Sequence, residues 1–377
     1  MKISALNDLT DPVACPLLVL KVGSALLVGT DGEPRGQWLS ALVAEIAAAR
    51  ARGQQVIVVS SGAIALGARR LGMEKGGRGR LADAQAAASV GQIALAGLWA
   101  ELFAGHGLIA AQILLTLDDL EDRRRYLNAT ATLGRLLAAG AVPVINENDS
   151  VATNEIRFGD NDRLAARVAQ AAGANGVLLL SDIDGLYDRD PREAGAARVP
   201  LVRGITAEIL AMATPGSSSG LGSGGMTSKL QAAEIAGLAG IALGIVDGRP
   251  EAPIGRALGE GSGTLFLPRG RKQARKAWLG GRMRMKGAVH IDAGAAKALA
   301  GGSSLLSAGV VEVTGQFRRG DVISVIGPKG ETLARGLAEY DSGDCAKLVG
   351  HSTHRHAAIL GYTPRSAIIH RDQMVLL

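Results

Sequence analysis

Two lysines beside glycines and hydroxyls are the first candidates for chemistry in this sequence. Lys21 is followed by Val-Gly-Ser24, and Lys229 ends the run Gly220-Leu-Gly-Ser-Gly-Gly-Met-Thr-Ser-Lys229. A lysine supplies a point charge to phosphate, and the N–H groups of a glycine-rich loop can surround an anion. Both segments therefore predict phosphate binding. The signal is weaker at Lys21, since a lysine at a strand end can also be simply solvated.

The glycine-rich run also fits part of a dinucleotide-binding pattern, Gly220-x-Gly222-x-x-Gly225. Asp247 lies about 20 residues further on, where that pattern has an acidic residue. The pattern needs a strand directly before the glycines, whereas residues 215–219 are predicted to form a loop. The run is not a Walker A loop either, because serine and not glycine precedes Lys229. The partial match of the three glycines and Asp247 nevertheless leaves a dehydrogenase as an alternative function.

Short carboxylates and amides form two further groups, Asn146-Glu-Asn-Asp-Ser150 and Gly159-Asp-Asn-Asp162. One Asp or Asn is enough to cap a helix, so these groups exceed what capping requires. They could bind an ammonium group, hold Mg²⁺ through water or orient lysines. Ser60-Ser-Gly-Ala63 and Ser181-Asp182 follow two other predicted strands. The first could be a helix cap or a site for a carboxylate or phosphate oxygen, and the second could be part of a turn.

The elements that must position these residues alternate between β-branched and alanine-rich segments. Strands are predicted at 17–22, 56–60, 109–115, 142–145, 177–180 and 241–246, and helices at 39–52, 128–139, 162–172 and 229–239. The alternation predicts an α/β fold with a mainly parallel sheet between two helical layers. Ligands of such sheets bind at the carboxyl ends of the strands, which is where the polar segments lie.

The C-terminal part of the chain has a different texture. Short strands are predicted at 310–314, 321–326 and 367–377, with glycines between them. These segments indicate a small β-rich domain. We therefore predict a first domain at 1–268, a basic linker at 269–284 and a β-rich domain at 285–377.

The positive charge of the chain is local. The 41 Lys and Arg exceed the 35 Asp and Glu, but eight of the basic residues lie between Gly261 and Ile291. Without these eight, 33 basic residues stand against 35 acidic ones, so the rest of the chain is slightly acidic. An RNA-binding module is thus a second alternative function. Aromatic residues make up only 3% of the chain, and the basic run contains only Trp278, so little surface is offered for base stacking. We interpret the run as a solvated linker and expect no nucleic-acid partner.

The remaining features favour a cytoplasmic protein. Cys15 and Cys345 are too far apart in sequence to indicate a disulfide framework. Residues 1–12 lack the apolar core of a signal peptide. The longest apolar stretch, 86–100, is shorter than the ~20 residues of a membrane span, so we expect no membrane contact.

Taken in order, the motifs resemble those of the amino acid kinase family, and in particular of its members that phosphorylate glutamate. The resemblance rests on segments 21–24, 60–63, 144–149 with 151–153, 159–162, 184–187 and 220–229. Segments 291–295, 302–306 and 315–317 resemble a PUA domain, an RNA-binding type of fold. The resemblance covers nearly all of the chain beyond residue 14. It implies the three-layer amino acid kinase fold followed by a small PUA-like domain.

The resemblance implies transfer of the γ-phosphoryl group of ATP, with Mg²⁺, to the γ-carboxylate of L-glutamate, the first step of proline biosynthesis. It implies that Lys21, Lys229 and Asp162 are catalytic, and that Asp162 holds the two lysines in place. The implied ATP-binding residues are Lys21, Gly23, Ser24, Ser181, Asp182, Ser223, Gly224, Gly225, Met226, Thr227, Ser228 and Lys229. The implied glutamate-binding residues are Ser61, Gly62, Ala63, Asn146, Asp149 and Asn161. No direct metal ligand is implied. A homo-oligomer and coupling to glutamyl phosphate reductase are expected.

The residues themselves agree with this chemistry. A carboxylate acceptor is already ionised at pH 7, so no general base is needed, and none of the polar segments contains histidine. The reaction requires two anions to be aligned and the charge on the transferred group to be neutralised. Lysines, Mg²⁺ and N–H groups can do this.

Overall fold

The computed structural model describes residues 2–29, 32–77, 79–151, 161–213, 225–268, 286–362 and 367–376. The chain divides into two compact units, one of residues 1–121 and 128–274 and the other of residues 122–127 and 275–377. The predicted linker at 269–284 lies outside the described residues. The exact domain limits therefore stay a prediction.

Ten strands and ten helices are described up to residue 268. The strands are β1 (Leu17–Val22), β2 (Gln55–Ser60), β3 (Ala110–Leu115), β4 (Val142–Glu147), β5 (Gly176–Ser181), β6 (Leu186–Tyr187), β7 (Arg198–Val199), β8 (Leu201–Arg203), β9 (Ala242–Asp247) and β10 (Thr264–Leu267). The helices are α1 (Ser24–Leu27), α2 (Gly36–Ala51), α3 (Ala63–Arg70), α4 (Leu81–Ala104), α5 (Leu117–Glu121), α6 (Arg123–Ala138), α7 (Asn161–Ala172), α8 (Ala207–Ala211), α9 (Met226–Leu238) and α10 (Pro253–Gly259).

Eight of these strands form one sheet in the order β3-β4-β2-β1-β5-β9-β10-β8. The first six are parallel to their neighbours, whereas β10 runs antiparallel to β9. Every residue of β1, β4 and β5 is buried, as expected for strands covered on both faces. The predicted α/β fold with a mainly parallel sheet is confirmed. The six predicted strands are β1 to β5 and β9.

Helices α3 and α4 pack with their backbones in contact. A Cβ atom added at Gly67 would lie 1.7 Å from the carbonyl oxygen of Ala87, and one at Gly91 would lie 1.8 Å from that of Ala63. Only glycine, which has no Cβ, permits this approach. The contact fixes α4 against the segment that follows β2.

The apolar stretch at 86–100 lies within helix α4, for which no helix was predicted. The helix extends from Leu81 to Ala104, beyond both ends of that stretch, and the flanking alanines and leucines are good helix formers. Its 24 residues and a hydropathy of 1.3 over 18 of them would allow it to cross a membrane by length and composition alone. In this fold its side chains Leu95, Trp99 and Phe103 are buried in the core of the first unit.

The second unit contains a five-stranded sheet. Its strands are β11 (Gly287–Ile291), β12 (Val310–Gly315), β13 (Val322–Ile326), β14 (Thr332–Leu337) and β15 (Met374–Leu376), and its helices are α11 (Ala293–Ala300), α12 (Ser342–Leu348) and α13 (His356–Leu360). The sheet order is β12-β11-β13-β14-β15. The predicted β-rich C-terminal domain is confirmed. The strand predicted at 367–377 is too long, because only its last residues pair with β14, while Ile369 forms an isolated bridge with Leu305.

Candidate active site

A buried aspartate lies between two lysines at the carboxyl edge of the large sheet. Lys21 Nζ is 2.7 Å from Asp162 Oδ1, and Lys229 Nζ is 3.1 Å from Asp162 Oδ2. Asp162 is completely buried, and the two lysines are 9% and 5% exposed. Lys21 comes from the end of β1, Asp162 from the first turn of α7 and Lys229 from the first turn of α9. The fold thus brings together all three residues that were predicted to be catalytic.

Electrostatics keep this aspartate ionised. Burial by itself raises the pKa of Asp162, but the charges and hydrogen bonds of Lys21 and Lys229 outweigh burial and hold that pKa far below its usual range. The N-terminal ends of α7 and α9, which carry partial positive charge, both lie at this carboxylate. One carboxylate and two ammonium groups leave one net positive charge. The arrangement therefore suits an anionic ligand.

The loop that leads into α9 is partly described. Gly225 precedes the helix, and the Ser228 hydroxyl lies 3.1 Å from Asp162 Oδ2 and 3.0 Å from the Gly225 carbonyl oxygen. Met226 is buried, and Thr227 is exposed. The predicted ATP-binding residues Ser223 and Gly224 lie outside the described residues.

Other predicted nucleotide-binding residues lie at neighbouring strand ends. Gly23 follows β1 and caps α1, which begins at Ser24, and a Cβ atom added at Gly23 would lie 3.7 Å from the ammonium nitrogen of Lys21. Ser181 ends β5 beside β1, and its hydroxyl donates to Asp182 Oδ1 at 3.2 Å. These residues therefore share one edge of the sheet with the Lys–Asp–Lys group.

The predicted glutamate-binding residues are linked by hydrogen bonds. Asn161 Nδ2 donates to Ser61 Oγ at 2.6 Å and to Asn146 Oδ1 at 3.2 Å. Asn161 directly precedes Asp162 in α7, so the amide group and the Lys–Asp–Lys group are adjacent. Gly62 makes the turn between β2 and α3 with a φ of 113°, which favours glycine, and Ala63 is the buried first residue of that helix.

Two residues of this region were not among the individually predicted site residues. Gln92 on α4 accepts a hydrogen bond from Asn146 Nδ2 at 2.8 Å. The available signal was that Gln92 is a polar residue inside an apolar helix. Glu147 ends β4 with 6% exposure, and its Oε1 has no hydrogen-bond partner among the residues that the structure describes. Burial and the charge of Asp149 raise the pKa of Glu147 to about 7, against the opposing effect of Arg163.

The acidic residue of the dinucleotide pattern is already engaged. Asp247 ends β9, and its carboxylate accepts hydrogen bonds from Nε and Nη2 of Arg249 at 2.9 and 2.8 Å. The Arg249 backbone N–H also donates to it at 2.9 Å. This pairing does not favour the ribose contact that the dehydrogenase alternative requires.

Known families match both units. The profile described as amino acid kinase family matches residues 16–247. The chain belongs to this family. The profile described as PUA domain matches residues 287–360, so both resemblances inferred from the motifs are confirmed.

Curated relatives match the whole chain. A protein of Novosphingobium aromaticivorans named glutamate 5-kinase is 78% identical over 100% of both chains. A glutamate 5-kinase of Sphingopyxis alaskensis is 59% identical over 98% of this chain and 100% of its own length. A third, from Zymomonas mobilis, is 54% identical over 97% of this chain and 92% of its own length.

Proposed function

We propose that this chain transfers the γ-phosphoryl group of ATP to the γ-carboxylate of L-glutamate, giving L-glutamyl 5-phosphate and ADP. Relatives of up to 78% identity over full length carry the name of this activity, whose product leads to proline. The observation that carries the proposal is the pair of lysines on Asp162, at 2.7 and 3.1 Å, beside a group of amides and a serine. Such a site can bind a phosphate group at the lysines and a carboxylate group at the neighbouring amides and serine.

The two lysines perform the electrostatic part of the reaction. An ionised carboxylate acceptor needs no base, but it is repelled by the phosphate that it must attack. Lys21 and Lys229 neutralise charge on the transferring group, and most strongly in the transition state, where it is shared among three oxygens. Asp162 holds both ammonium groups in fixed positions, so they need not reorganise during transfer.

The glutamate is proposed to bind on the amide side of the site. Ser61 and Asn146 can donate hydrogen bonds to its carboxylate oxygens, and the Asp149 carboxylate and Asn161 Oδ1 can accept from its ammonium group. Asn146 and Asp149 follow each other closely at the end of β4. These assignments explain why so many short polar residues are concentrated at this strand end.

The nucleotide is proposed to bring its own metal ion. Within the described ranges no group of three or more His, Cys, Asp or Glu could hold a metal, and both oxygens of Asp162 are engaged by lysines. Gly23, Ser24, Ser181, Asp182 and the segment 223–229 would surround the phosphates of ATP. Mg²⁺ bound with the nucleotide would neutralise negative charge on the phosphates that these residues hold.

The test is a coupled assay of ADP release with ATP, Mg²⁺ and one candidate acceptor, with hydroxylamine present to trap an acyl phosphate. L-Glutamate is expected to give both ADP and hydroxamate, whereas L-aspartate and N-acetyl-L-glutamate give neither. Hydroxamate from N-acetyl-L-glutamate alone would contradict the substrate assignment. Binding of NAD without any ADP release would instead favour the dehydrogenase alternative.

Three further expectations accompany this activity. We propose a cytoplasmic homo-oligomer without a membrane or nucleic-acid partner, whose labile acyl phosphate passes to glutamyl phosphate reductase. Light scattering after gel filtration measures the oligomeric state, and a reductase-coupled assay measures transfer of the product. Filter binding of RNA over a salt series tests whether nucleic acid binds, because phosphate contacts make the affinity fall steeply with salt.

A further inference from the structure

The hydrogen bonds around Asn146 have a fixed direction. The backbone N–H of Glu147 donates to Asn146 Oδ1 at 2.9 Å, and a backbone N–H can only donate. Asn146 must therefore turn its Oδ1 to this side. Its Nδ2 is then the atom that faces Gln92, and Gln92 must present Oε1, which accepts at 2.8 Å.

The same direction continues to Ser61. Asn146 Oδ1 can accept only from the amide nitrogen of Asn161, at 3.2 Å, and that nitrogen also donates to Ser61 Oγ at 2.6 Å. Within the described part of the chain, the buried Asn161 Oδ1 has no hydrogen-bond partner. A flipped Asn161 would set its oxygen against the Asn146 oxygen, so the observed orientation is the favourable one.

Ser61 is thereby made a donor. Its oxygen accepts from Asn161, and its own hydrogen has no acceptor among the described residues. The side chain is half-buried at the turn into α3. A hydroxyl in this state offers one hydrogen to a ligand, and a carboxylate oxygen is the acceptor that gains most from it.

Gln92, at the other end of this series of hydrogen bonds, lies on a helix that is held firmly in place. Gln92 directly follows Gly91, whose missing Cβ allows the backbone contact between α3 and α4. α4 is also joined to β2 by a hydrogen bond from Trp99 Nε1 to Ser60 Oγ at 2.9 Å. Gln92 and Ser61 thus belong to elements that are held together by packing, with Asn146 and Asn161 between them.

We propose that Gln92 is a positioning residue that anchors this chain of amides so that Ser61 faces the substrate as a hydrogen-bond donor. Without the Gln92 oxygen, Asn146 Nδ2 loses its acceptor among the described residues, and the Asn146 side chain is then held mainly by the Glu147 N–H. The partner that directs Asn161 to Ser61 is then held less firmly. The inference rests on the proposed glutamate kinase activity, which is measured separately in the wild-type enzyme.

The test is a double-mutant cycle with Gln92→Met and Ser61→Ala. Gln92→Met keeps side-chain length but removes the acceptor, and it is expected to raise KM for glutamate about 10-fold, the size of a lost hydrogen bond to a charged group. KM for ATP and the thermal midpoint should stay near wild type. Gln85→Met, the same change two turns earlier on α4, is the matched control. The double variant should lie within about twofold of Ser61→Ala in kcat/KM, since residues of one network are not additive.

A second variant separates positioning from packing. Gln92→Glu keeps an oxygen that accepts from Asn146, so Ser61→Ala should cost as much in this background as in the wild type. Independent, multiplying effects of Gln92→Met and Ser61→Ala would overturn the proposal, as would an unchanged KM for glutamate in Gln92→Met. Absence of glutamate-dependent ADP release in the wild type would instead refute the proposed function.

Discussion

Replacing Asp162 by asparagine tests the electrostatic logic of the site. The substitution preserves shape but removes the charge that lies 2.7 Å from Lys21 and 3.1 Å from Lys229. Both ammonium groups then remain in a site that excludes most water, since the two lysines are 9% and 5% exposed. The protein without nucleotide should therefore lose stability, and activity should fall as well.

The size of the loss follows from the geometry. Ammonium groups on the two oxygens of one carboxylate lie roughly 5 Å apart, and at an effective dielectric constant of about 20 they repel each other by about 3 kcal/mol. Removal of one partner from a buried ion pair costs about 3–5 kcal/mol, which agrees with this figure. The pKa of Asp162 is lowered in the folded protein, so its stabilisation is present at pH 7 and is lost only as the pH falls below about 4.

Urea unfolding of wild type and Asp162→Asn at pH 7, with and without ATP and Mg²⁺, measures the effect. ATP should stabilise the variant more than the wild type, because its phosphates supply the missing negative charge. Asp190→Asn, which alters an ion pair with the exposed Arg192, is the matched control and should change stability far less. Equal stability of Asp162→Asn and wild type without nucleotide would refute the reasoning.

Three other predictions concern the same unit. Lys21→Ala and Lys229→Ala should each lower kcat by about 100-fold or more in steady-state assays, because a donor to the developing charge is lost. Glu147, whose pKa is raised to about 7, is stabilising in its protonated form, so the wild type should lose on the order of 3 kcal/mol relative to Glu147→Gln as the pH rises from about 5 to 8, measured by urea unfolding. Gly67→Ala should lower the free energy of unfolding by about 3 kcal/mol, because its Cβ would lie 1.7 Å from the Ala87 carbonyl oxygen.

Each of these has an internal control. Near-normal turnover in both lysine variants would contradict their assigned role. A pH profile of stability that is identical in Glu147→Gln and wild type would show that this carboxyl is not the group that titrates. Gly97→Ala on α4 serves as the control for Gly67→Ala, since nothing lies within 4 Å of its Cβ position, and it should be neutral or slightly stabilising.

Local pattern was sufficient for much of the fold. The strand predicted at 17–22 is β1, with the same limits, because a mainly apolar run between Pro16 and Gly23 leaves little choice of where the strand begins and ends. β11 and β14 were not predicted, since their mixed polar and glycine composition gives no clear alternation. The glycines of α3 and α4 gave no sign of which backbone they approach.

The order of the motifs by itself determined the family and the candidate catalytic residues, because residue types and their spacing are properties of the sequence alone. Only the tertiary structure decided that Lys21, Asp162 and Lys229 meet within 3.1 Å and that the middle residue is completely buried. The link from Gln92 to Asn146 likewise depends on where α4 packs. The physical reason is that periodicity reports which face of an element is buried, whereas contacts between distant residues are set by the packing of sheet and helices.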